Sequence, residues 1–121
     1  MDGLVAGDVV LVNFPFSDHR RAKERPSLVL GRTAYGGYLV GYISTRNKHL
    51  GYAVEVNASD LVEGKLSKTS YIRAEISFVV DAELVQKKLA RVSQEIHERV
   101  LESLNAYLRS ECDYRLSQEA E

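Results

Sequence analysis

Arg73 and Glu75 stand two residues apart in Tyr71-Ile72-Arg73-Ala74-Glu75-Ile76-Ser77-Phe78-Val79-Val80, a stretch where apolar and polar residues alternate. Period-two alternation puts both side chains on one face of a strand, roughly 7 Å apart. Taken alone they are an exposed strand pair worth under about 1 kcal/mol. Further cations gathered beside them would change that reading. The segment His19-Arg20-Arg21-Ala22-Lys23-Glu24-Arg25 supplies some: four cationic side chains against one anion, in a chain whose net charge is −1. Such local positive charge suits phosphate contact, although a solvated charged loop looks the same. Arg25 also reads as an ion-pair partner for Asp8 or Glu75, and such a pair would hold its guanidinium ready. Ser44 and Thr45 close an apolar run and open the polar segment Arg46-Asn47-Lys48-His49. Alone they are loop hydroxyls suited to capping a turn. Tyr35, Tyr38, Tyr42, Tyr52 and Tyr71 read first as strand packing, and second as surfaces on which unpaired bases stack.

The elements that must position these groups follow from hydrophobic patterning. Val10, Val12, Phe14 and Phe16 fall on one face of an opening strand and Val9 and Leu11 on the other. Apolar residues on both faces mark a strand buried on both sides. Pro15 helps end it. Asp18 to Glu24 reads as a loop, and Arg25-Pro26 turns the backbone extended where the second strand, Ser27 to Leu30, begins. Tyr35-Gly36-Gly37-Tyr38 is a hairpin turn. Leu39 to Ile43 is a third strand, and Tyr52 to Asn57 alternates as a fourth. Asn57 to Lys68 reads as a polar connection around Gly64, with room for a helical turn. In the fifth strand Ile72, Ala74, Ile76, Phe78 and Val80 form an apolar face that must be core. Asp81 is placed to cap a helical turn, Ala82 to Val85; Leu84 to Val92 reads as either helix or strand, a turn followed by a short strand being favoured. The chain closes on a helix with Ser93 as N-cap, Glu95 in its first turn and an apolar stripe from Ile96 to Leu108. The tail is polar beyond Ser110. This is a mainly β chain with a C-terminal α-helix, expected as a small SH3-like β-barrel, with residues 1–116 one domain and 117–121 a fraying tail.

Composition narrows the classes further. The chain has 121 residues, 45% hydrophobic and 27% charged, which is one folded domain rather than a disordered chain. Its single cysteine, Cys112, excludes an internal disulfide framework and a multi-cysteine metal site. It reads as a bystander thiol, and His49 and His97 as surface residues. No segment has secretion-signal character or the length of a membrane span, so a cytoplasmic protein without membrane association is expected.

Gly7-Asp8-Val9-Val10-Leu11-Val12, followed by Arg25-Pro26-Ser27-Leu28-Val29-Leu30, resembles the opening of the MazF/PemK toxins of bacterial toxin–antitoxin systems. The resemblance continues through Ile43-Ser44-Thr45, Ser70 to Glu75, and Leu89 to Leu108, and so covers nearly the whole chain. It implies a homodimeric, metal-independent endoribonuclease, free of cofactors, that cuts single-stranded mRNA by attack of the ribose 2′-OH. It also implies a cognate antitoxin protein as partner. By position in the motifs, Arg25 matches the family's phosphate-stabilising arginine, and Ser44 and Thr45 its hydroxyl pair. Arg73 and Glu75 match the acid and base of the PemK branch, and His19 its assisting loop histidine. The remaining cations Arg20, Arg21 and Lys23 would bind substrate.

Four departures accompany the match. Glu75 stands where the family has aspartate, one methylene further out. Phe78-Val79-Val80-Asp81 replaces a frequent Arg-Thr-x-Asp. Ala90 replaces a common glycine, and Arg20-Arg21-Ala22-Lys23 a Gly and Glu-Gln pattern. Two rival readings share the barrel: a CcdB-like gyrase-binding toxin without nuclease activity, and a PemK-like binding module that has lost catalysis.

Overall fold

The computed structural model describes residues 1–15, 22–46 and 51–120. Its strands are β1 (Asp8–Pro15), β2 (Ala22–Arg32), β3 (Gly37–Ser44), β4 (Val54–Val56), β5 (Leu61–Gly64), β6 (Ser70–Asp81) and β7 (Val85–Val92), followed by the helix α1 (Gln94–Glu119). They form one sheet in the order β4-β6-β3-β2-β1-β7-β5, every pairing antiparallel. Three strand spacings separate β1 from β6, about 14 Å in a flat sheet. Yet the Phe14 and Phe78 rings meet with centroids 5.8 Å apart. The sheet is therefore strongly curled, a half-barrel of the small-barrel class that the patterning predicts.

Each face of the sheet carries a core. On one, Val9, Leu28, Ile43, Ile72 and Ala74 pack with Ile96 and Val100 of α1. On the other, the inner face, Val10, Val12, Val29, Val40, Val80 and Val85 close around Leu4 and Tyr38. Hence β1 is buried on both sides, with Val9, Val10 and Val12 all 0% exposed. The helix begins as its sequence requires, Ser93 Oγ accepting from the Ile96 N–H at 3.2 Å. It runs to Glu119, with Arg115 Nε and Glu119 Oε1 2.7 Å apart in its last turn.

Three local features differ from the patterning. First, β2 starts at Ala22, so Lys23 and Arg25 stand on a strand, opposite Phe14 and Val12, and not in a loop. Pro26 is tolerated there because pairing with β3 begins only at Ser27, leaving no β3 partner that needs its missing N–H. Second, Leu61–Gly64 is a strand paired with β7, where a polar connection was expected. Third, β6 bulges. Tyr42 is opposite Arg73 but Gly41 is opposite Ser77, so three residues of β6 are extra. An odd insertion reverses the side-chain alternation. Ile72 and Ala74 therefore face the α1 core, whereas Phe78 and Val80 face inward together with Arg73.

Candidate active site

The inner face is apolar at one end and polar at the other. Val10, Val12, Val29 and Val40 are completely buried. Along the same face, the cross-strand row Ser27–Tyr42–Arg73 replaces them with polar groups. Strand alternation adds Arg25 and Lys23 on β2, and Ser44 on β3 opposite Tyr71 of β6. Arg73 and Ser27 are two strand spacings apart, about 10 Å, and Arg25 lies one step of about 7 Å further along β2. Two extended guanidinium side chains have the length to cover much of those separations. The sheet thus collects Arg25, Ser44, Arg73 and Glu75, which the sequence separates by as many as fifty residues.

Arg73 and Glu75 form the centre. The Arg73 Nη2–Glu75 Oε2 distance is 3.5 Å, with side chains only 19% and 9% exposed. Both retain a buried atom, Arg73 Nε and Glu75 Oε1, without a hydrogen-bond partner among the described residues. A buried polar group left unsatisfied costs about 1–3 kcal/mol, so a pair kept this way is poised for a ligand that supplies donors and acceptors. The bulge produces the arrangement. It withdraws Ala74, Glu75 and Ile76 from the ladder with β3, leaving Glu75 beside Arg73, which stays in register opposite Tyr42. Gly41 faces the bulge, where a Cβ would lie 3.4 Å from the Ala74 Cα, an ordinary van der Waals contact.

The hydroxyls divide. Ser44 is buried and its Oγ accepts from the Arg46 N–H at 3.0 Å, the turn-capping role open to it from sequence. Thr45 is exposed in the bend that follows. His19, Arg20 and Arg21 lie outside the described residues. Arg25 does not pair with Asp8, whose carboxylate is taken by Arg91 and Lys88 at 2.7 and 3.2 Å.

The tyrosines sort by position. Tyr38 is buried and donates to the Met1 carbonyl. Tyr52 packs edge-on against Tyr107 of α1 with centroids 5.4 Å apart. Tyr35, 99% exposed, marks the tip of the β2–β3 hairpin. Only Tyr42 and Tyr71 of the five border the Arg73–Glu75 pair. Burial, and then the Glu55 carboxylate across the strand, push the Tyr71 hydroxyl above its usual range. Phe14 and Phe78 also border the site. Period-two counting places Phe78 in the core, and the sequence sign of the bulge is Gly41, in the interior of the neighbouring strand.

Chemically, a carboxylate in contact with one guanidinium, on a sheet face that carries a second, can accept a proton while positive charge meets a phosphoryl oxygen. Among the described residues no group of three His, Cys, Asp or Glu side chains is placed to hold a metal ion.

Comparison with known proteins agrees with this geometry. The profile of a family described as PemK-like, MazF-like toxin of type II toxin–antitoxin systems matches residues 6–108. None of the curated proteins compared matches the chain. Among solved structures, MazF from Deinococcus radiodurans superposes with a TM-score of 0.68 at 24% identity, covering 89% of this chain and 98% of that one. An endoribonuclease from a mycobacterial species gives 0.69 at 14% identity, covering 89% and 93%. A mycobacterial endoribonuclease in complex with its cognate antitoxin gives 0.70 at 14% identity, covering 88% and 95%. At these identities the likeness is one of fold.

Proposed function

Since the chain belongs to the PemK-like, MazF-like toxins of type II toxin–antitoxin systems, we propose that it is an endoribonuclease cutting single-stranded mRNA without a metal ion. Glu75 takes the proton of a ribose 2′-OH. The freed oxygen attacks the adjacent phosphorus while Arg73 and Arg25 donate to the phosphoryl oxygens, where negative charge grows. The P–O5′ bond breaks, and the leaving oxygen collects a proton through Arg73, replaced from Glu75 across their contact. The products are a 2′,3′-cyclic phosphate and a 5′-OH, and the proton balance closes within the pair. Ser44, Thr45 and Lys23, with His19, Arg20 and Arg21, position the RNA.

The observation that carries this reading is the Arg73–Glu75 pair, withdrawn from solvent with one polar atom of each unpartnered. Support for the reaction type comes from endoribonucleases among the similar folds. Complexes with cognate antitoxins among those folds support an antitoxin partner. The working form is a cytoplasmic homodimer, and no helix is long and apolar enough to cross a membrane. The test is purified protein, free of antitoxin, incubated with single-stranded RNA in EDTA beside Glu75→Ala. Wild type should yield fragments ending in cyclic phosphate, and Glu75→Ala should not. RNA left intact by wild type, or cut equally by both, rejects the proposal.

A further inference from the structure

Phe78 is 46% exposed although Val40, its partner across the sheet, is 0% exposed. Its orientation is nevertheless fixed. Phe14 meets it edge-on, with centroids 5.8 Å apart and an interplanar angle of 63°, an arrangement aromatic rings prefer. The β6 bulge turns Phe78 to the same face as Arg73 and Glu75. The inner face thus offers an oriented aromatic surface, open on one side, a few residues along the strand from the paired guanidinium and carboxylate. Val79, 68% exposed, is the next residue and points to the opposite face. The two therefore do not merge into the contiguous apolar patch that a protein interface presents. One open, braced ring fits a planar ligand instead, and beside a phosphate-binding pair that ligand is a nucleobase.

We propose that Phe78, braced by Phe14, is the platform on which an unpaired base next to the scissile phosphodiester stacks, and that it gives the protein a preference for a purine there. The inference rests on the ribonuclease reading above and adds the residue that reads the base. Stacking tolerates every base but favours the larger ring, so the preference is graded rather than absolute. Arg73 and Glu75 act on the ribose and phosphate, which are common to all nucleotides. Phe78 contacts what differs between them.

The experiment uses RNA oligonucleotides spanning a cleavage site mapped with wild type, with the attacking 2′-OH replaced by 2′-O-methyl and 2-aminopurine as the neighbouring base. Binding and fluorescence are measured for wild type, Phe78→Tyr and Phe78→Leu, with circular dichroism melts to verify folding. Quenching should occur with wild type and Phe78→Tyr, and be lost with Phe78→Leu. The affinity of Phe78→Leu should fall about tenfold, the scale of one stacked base. On cuttable RNA, the purine-over-pyrimidine ratio of kcat/KM should shrink in Phe78→Leu and persist in Phe78→Tyr. Equal quenching and affinity in Phe78→Leu overturn the platform while wild-type cleavage leaves the ribonuclease reading standing. A changed sedimentation mass with unchanged RNA affinity assigns Phe78 to a protein contact and also overturns it. Wild type that neither binds nor cuts removes both proposals.

Discussion

A guanidinium and a carboxylate held 3.5 Å apart under a curled sheet are expensive to remove from water and return little net stability. Glu75→Gln keeps the shape and removes the carboxylate proposed as the base. It should lower the single-turnover cleavage rate at least about a hundredfold while leaving the thermal midpoint close to wild type. A midpoint that collapses together with the rate would mark Glu75 as a structural residue. Arg25 is half-buried on β2, outside both apolar cores, so Arg25→Ala should fold normally. If Arg25 stabilises the transition-state charge as proposed, its loss should cost about a hundredfold or more in cleavage. Arg25→Lys, which keeps the charge but loses the planar fork, should fall between the two in the same assay. All three residues could be singled out from their types and motif positions. That Arg73 and Glu75 share one face was also legible, from their spacing of two; that this face is the inner one was not, since alternation with Ile72 and Ala74 reads it as the exposed side. That Lys23 and Arg25 belong to a strand was not, since a run of charged residues carries no periodicity to show it.

The elements differ in how plainly their residues announce them. Strand β1 and the helix α1 were legible from periodicity, alternating valines on one and an i, i+3, i+4 stripe on the other, although of that stripe only Ile96 and Val100 are buried and Leu101 and Leu108 stay exposed. Strand β5 was not, because of its four residues only Leu61 is even partly buried. What holds it is backbone pairing with β7 and a glycine. Gly64 has φ +76°, and a Cβ there would lie 2.1 Å from the Leu89 carbonyl oxygen. Gly64→Ala should therefore cost about 3 kcal/mol, from strain and clash together. Gly31→Ala, with nothing within 4 Å of the added atom, should change stability far less. Urea unfolding of the two variants reads the difference, and equal midpoints would show that β5 separates from β7 without penalty. The bulge in β6 was the costliest feature to miss. It is enforced by partners on β3, and inside a single strand an extra three residues leave no mark. Counting by twos beyond Glu75 consequently assigns Phe78 and Val80 to the wrong face.

Across the whole molecule, the curl depends on joining β1 to β7 and β5 as firmly as to β2 and β3. Asp8, at the start of β1 and 0% exposed, is the charged anchor of that side. Its carboxylate accepts from Arg91 Nε at 2.7 Å and from the Val5 N–H at 2.9 Å, and lies 3.2 Å from Lys88 Nζ. Glu63 of β5 closes the network, 2.5 Å from Lys88 Nζ. Burial works to raise the Asp8 pKa, but Arg91, the Val5 N–H and Lys88 together outweigh it and hold the carboxyl below its usual 3.8. The folded state thus binds this proton more weakly than the unfolded chain does. Its contribution to stability is whole above about pH 4 and is lost as pH falls through the depressed folded value. Asp8→Asn abolishes the charge at every pH and leaves Arg91 and Lys88 facing a neutral amide. At pH 7 it should be less stable than wild type by about 2–3 kcal/mol. Thermal melts of both proteins from pH 7 down to pH 2 should show that gap narrowing only below about pH 4, where wild type loses its own carboxylate charge. A gap that stays constant across the range would mean that the Asp8 charge contributes nothing, and that the network is held by the geometry of β1 and β7 alone.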